Sequence, residues 1–93
     1  MTLTNELKKL LSKYLQSKES VFADIRIVEG CHQIGEIEIR NTIEAARRYF
    51  EDAKHYGENE KFETALSCIA YCEGLLDALR LLGVVEFTWS STR

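Results

Sequence analysis

KFETALSCIAYCEGLLDALRLL, residues 61–82, is the stretch whose reading decides the fold. Phe62, Ala65, Leu66, Ile69, Cys72, Leu76 and Leu79 recur at three- and four-residue steps, the spacing of a buried helical stripe, and Cys68, Leu75 and Leu82 widen it on one side. A face this broad can touch two neighbours. On the back of the same helix Ala70, Gly74 and Ala78 fall four residues apart, a row of small side chains along which another backbone can approach closely. At about 1.5 Å per residue the segment spans roughly 33 Å, the length of a small domain.

Outward from this helix, Gly83 is the expected stop and 83–93 form a tail. Within it Val85, Phe87 and Trp89 alternate with Glu86, Thr88 and Ser90. Burying a Phe or Trp side chain stabilises by about 2 to 3 kcal/mol, so the tail is expected to be ordered, folded over the bundle or into a partner. Upstream, YGENEK (56–61) is a short loop in which Gly57 suits the left-handed residue after a helix and Asn59 an N-cap for the next helix. Helix two is expected over about 36–56, with Ile39, Ile43, Ala46, Phe50 and Ala53 inward. Residues 29–35, with Gly30 and Gly35, reverse the chain. Helix one is expected over about 3–28, capped by Thr4 or Asn5, with Leu3, Leu7, Leu10, Tyr14, Val21, Ile25 and Val28 as its stripe. Residues 23–28, ADIRIV, also fit a short strand, but with no partner strand in view helix is preferred. Helix three is expected over about 60–82. The fold class is therefore all-α, an antiparallel three-helix bundle with an ordered C-terminal tail.

Ninety-three residues, 45% hydrophobic and 29% charged, describe one globular domain and exclude a disordered chain. No apolar run is long enough for a bilayer, and MTLTNELKKLLSKYL has neither the apolar core nor the cleavage site of a signal peptide, so a cytoplasmic protein without a membrane partner is expected. A net charge of −3 with no concentrated basic surface disfavours nucleic acid. Lys8, Lys9, Lys13 and Lys18 lie among Glu6 and Glu19 as on a solvated face.

ARRYFEDAKHY (46–56), FETALSCIAYCEGLLDALRLLG (62–83) and VEFTW (85–89) together resemble the archaeal family catalogued as domain of unknown function 357. YCEGLLDALRLLG is the most specific part, and the resemblance covers roughly the second half of the chain. It implies a small helical bundle and an archaeal source, and it carries no activity or site. The rhythm of the second and third helices is also loosely similar to tetratricopeptide hairpins and to helical domains beside minimal nucleotidyltransferases.

Few residues suggest chemistry. Glu73, Asp77 and Arg80 lie beside the apolar stripe, as a structural ion cluster or as a polar patch in a groove. Two carboxylates one turn apart supply too few oxygens for a hard cation. Cys31, Cys68 and Cys72 with His32 and His55 lack the knuckle spacing of structural zinc, so no metal is expected, and no cofactor. Arg48 and His55 share the arginine-to-histidine spacing of helical ribonucleases, but in the second helix rather than late in the domain; no catalytic constellation stands out.

The apolar surplus is more informative. Helix three is apolar or small on most of its circumference, and a homodimer would cover it, or else the tail and the turn from Glu29 to Ile37 would. A non-enzymatic protein-interaction module is the leading expectation, with Ala70, Gly74, Ala78, Phe87 and Trp89 as interface residues. The alternative is a small-molecule or nucleotide-binding domain on Arg47, Arg48, His55, Glu73, Asp77 and Arg80. A helical ribonuclease, with Arg48 and His55 exposed together, ranks third.

Overall fold

The computed structural model describes residues 2–30 and 34–88. Helix α1 spans Leu3–Asp24, α2 spans Glu36–Glu58 and α3 spans Phe62–Leu81, and two short strands follow the outer helices: β1, Arg26–Ile27, after α1 and β2, Val85–Glu86, after α3. Among the described residues the bundle is all-α apart from this ribbon. Successive helices run antiparallel, so α1 and α3 point the same way and end side by side, where β1 and β2 pair.

That pairing corrects the expected end of helix one at 28. The helix stops at Asp24, Ile25 is extended, and β1 lies antiparallel to β2 with Arg26 opposite Glu86 and Ile27 opposite Val85. The partner strand is the tail itself. Val28 N donates to Val84 O at 3.0 Å, and Thr88 N donates to Asp24 Oδ2 at 3.1 Å. Arg26 bridges Asp24 and Glu86 at 3.1 and 3.2 Å across the ribbon. Alternating β-branched residues, too few for a lasting hairpin alone, are stable here because they close over the bundle end. At the other end of α1 the cap is Thr2, not Thr4 or Asn5: its hydroxyl accepts from Asn5 N at 3.1 Å.

The core follows the helical periods of α2 and α3. Ile39, Ile43, Ala46, Phe50 and Ala53 meet Ile69, Cys72, Leu76 and Leu79, while Val21 from α1 and Val84, Val85 and Phe87 from the tail complete the cluster. Phe22 tilts against Phe50 at 5.4 Å. A second cluster, Leu11, Phe62 and Ala65, fills the opposite end. Two residues of the α1 stripe, Leu3 and Leu10, are left exposed.

The α2–α3 turn also differs from expectation. Gly57 is not the left-handed residue, because α2 continues through it to Glu58, and Glu60 takes that conformation with φ 61°. Gly57 serves contact instead. A Cβ there would sit 2.7 Å from Leu11 Cδ2, so its bare backbone lets α1 approach α2. Gly83, with φ 77°, terminates α3 as expected.

Candidate interaction surface

Two faces of α3 are consumed by α2 and α1, and among the described residues none covers the third. Thr64, Ser67, Ala70, Tyr71, Gly74, Ala78, Leu81 and Leu82 are all exposed along it. Tyr71 is 64% exposed, Leu81 82% and Leu82 60%. Beside the row, Tyr49 of α2 stacks on Tyr71 with ring centroids 5.3 Å apart and planes 20° apart. A single exposed leucine means little, but apolar side chains contiguous with a bare stripe of backbone form a surface patch. On the other flank a groove of about 410 Å³ lies between α1 and α3, lined by Leu10, Tyr14, Leu66, Ile69, Ala70, Glu73, Gly74 and Asp77.

Gly74 stands at the centre of both features. A Cβ built there meets nothing within 4 Å, and the residue is helical without positive φ. Neither a turn nor a close contact within the chain requires glycine, although glycine in mid-helix costs about 1 kcal/mol relative to alanine.

The polar candidates disperse. Glu73 is held by Lys18, whose Nζ lies 2.7 Å from Glu73 Oε1 with the lysine side chain wholly buried. Lys18 is therefore not on a solvated face; its ammonium also lies 5.3 Å from the Tyr14 ring. Asp77 pairs with Arg80 at 3.5 Å, and Arg80 lies over the Phe87 ring at 5.9 Å. Arg47 turns toward α1, 4.7 Å over Phe22 and 3.6 Å from Glu44. Arg48 and His55 are both exposed on α2, and the His55 carbonyl accepts from Asn59 N and Nδ2 at the helix end. Arg47 packs on the α2 side of α1 while Glu73 and Asp77 line its α3 side, so α1 separates the charges that a shared ligand would need together.

Among the sequence-derived interface residues, Ala70, Gly74 and Ala78 are exposed as a row, whereas Phe87 is buried in the core. Phe87 is thereby corrected from interface to core. Trp89, Cys31 and His32 lie outside the described residues. Tyr71, Leu81 and Tyr49 were missed by sequence reasoning. Their signal was available for Tyr71 and Leu81, which fall on the same side of the helical projection as Gly74.

Both described cysteines are protected thiols. Burial pushes Cys72 up to about 12, with Lys18 opposing and Glu73 adding to the shift. Cys68 is raised by burial and then by Asp52. Neither has the depressed pKa of a reactive thiol. Among the described residues no group of three or more His, Cys, Asp or Glu side chains is placed to hold a metal ion, and no helix is long and apolar enough to cross a membrane.

Compared with known families, residues 13–85 match the family described as Protein of unknown function (DUF357). The match reaches well into α1, farther than the second-half motifs alone. No curated protein and no solved structure matches the chain.

Proposed function

The chain belongs to the DUF357 family, and on the chemistry of its own surface we propose that it is a non-enzymatic protein-interaction module that receives a helical partner along the outer face of α3. The observation that carries this is Gly74. It is exposed, central and unneeded by the fold of the single chain, yet it opens the α3 backbone to close approach between Ala70 and Ala78. Tyr71, stacked on Tyr49, supplies a rigid aromatic anchor of the kind enriched at interfaces, and Leu81 and Leu82 extend the apolar area.

The test places a photo-reactive residue at Ala70 or Ala78, with Arg48, also exposed, as a control on α2, in an extract of the source cells. Cross-linked products are expected from the two α3 positions and not from position 48. Equal yields at all three would overturn the reading.

A further inference from the structure

Resting on that reading, we propose that the occupant of the α3 face is a second copy of this chain, the two α3 helices lying antiparallel and crossing at Gly74 about a two-fold axis. Charge is the first reason. Each chain carries −3, so two copies repel wherever uncompensated carboxylates meet; Thr64, Ser67, Ala70, Tyr71, Gly74 and Ala78 are exposed and uncharged, the carboxylate that flanks them, Asp77, is paired with Arg80 at 3.5 Å, and Glu63 stands at the far end of the row.

Shape is the second. An antiparallel two-fold crossing at Gly74 sets each position against the one equally far on the other side. Ala70 then opposes Ala78 of the copy, and small Ser67 opposes the projecting Leu81, so knobs meet holes. A parallel crossing would set Leu81 on Leu81 and leave Ser67 facing Ser67. Antiparallel helices also oppose their macrodipoles favourably.

Area is the third. The exposed half of a helix about 10 to 12 Å across, from Thr64 to Leu82, offers roughly 450 Å² per copy. Tyr49 on one flank and Leu10 on the other bring this to about 600 Å² per copy, near the lower bound of about 1,200 Å² in total for a specific interface. The dimer is accordingly one that dissociates in the micromolar range, about 1 to 100 µM.

Light scattering across protein concentration tests the assembly. The native chain is expected to move from 10.7 kDa toward twice that mass. Gly74→Leu, at a position where a Cβ meets nothing within 4 Å in the monomer, should keep the helical circular dichroism without lowering the thermal midpoint, while weakening self-association at least about tenfold. Disulfide trapping fixes the geometry. With Cys31 and Cys68 replaced by serine, Gly74→Cys should cross-link to itself, and Ala70→Cys should cross-link to Ala78→Cys but not to itself. A native chain that stays at monomer mass at millimolar concentration, or a Gly74→Leu chain that dimerises as tightly as the native one, would overturn the proposal. If the native chain is monomeric but Ala70 still cross-links to a different protein and Arg48 does not, the second copy is excluded and the interaction reading stands. If neither occurs, both fall.

Discussion

Lys18 and Glu73 form a buried ion pair that locks α1 to α3: Nζ and Oε1 are 2.7 Å apart, the lysine fully excluded from water and the glutamate about one-quarter exposed. The two partners stand in unequal positions, and that asymmetry is measurable. Removing the glutamate leaves a buried ammonium poorly compensated; removing the lysine leaves a carboxylate that can still reach solvent. Glu73→Ala is expected to destabilise by roughly 3 kcal/mol, and Lys18→Met, which keeps the apolar stem, by less than about 1 kcal/mol. Urea unfolding of the two variants checks this, and equal losses would contradict the assignment.

Ser17, beside Lys18, is fully buried, and its hydroxyl finds no hydrogen-bond partner among the described residues. A buried unmatched hydroxyl loses its water bonds without replacement, at about 1 to 3 kcal/mol. Ser17→Ala should therefore raise the thermal midpoint, by a few degrees, and a fall would reveal a partner for the hydroxyl.

Glu60 holds a left-handed backbone with φ 61° at the α2–α3 turn, closed by Glu60 N to Gly57 O at 3.1 Å and Lys61 N to Tyr56 O at 2.9 Å. A Cβ is strained in that conformation and glycine is not. Glu60→Gly is expected to stabilise by about 1 kcal/mol in chemical denaturation, and Glu60→Val to destabilise by more than that.

The Cys72 thiol, raised from 9.0 to about 12 chiefly by burial, couples stability to alkaline pH. Above about pH 9 the unfolded chain releases a proton that the native chain keeps, so the native state binds more protons and stability falls as pH rises. The contribution is fully present below pH 9.0 and is lost progressively toward about 12. Compared at about pH 8 and pH 10.5, the urea midpoint of the native chain should drop more than that of Cys72→Ala, whose slope lacks this thiol.

The tail is structural. Val84, Val85 and Phe87 are buried, and the β1–β2 ribbon depends on them. Cutting the chain after Gly83 should unfold or severely loosen the bundle, read as lost cooperativity in thermal melting, and Phe87→Ala alone should cost about 3 kcal/mol. A truncated chain that melts like the native one would show that the tail is dispensable to the core.

Helical period is local, and what depended on it was legible. The inward faces of α2 and α3, the stop at Gly83 and the exposed row Ala70, Gly74 and Ala78 could all be read from spacing, because one turn of helix fixes which residues share a side. Lys18 was misread as part of a solvated face. It continues the Tyr14, Lys18, Val21, Ile25 stripe, but spacing could not say that a carboxylate waits opposite.

What the amino-acid sequence by itself determined is thus three amphipathic helices, their order and the side each one buries. The tertiary structure alone decided what stands across from each side: Arg26 against Glu86, sixty residues apart, Phe87 in the core rather than on a surface, Glu60 rather than Gly57 in the left-handed turn, and α1 between Arg47 and Glu73. The reason is physical. A periodic pattern states that a face leaves water, whereas the identity of its neighbour is set by how whole helices pack, through pairings distant in sequence that no local spacing encodes.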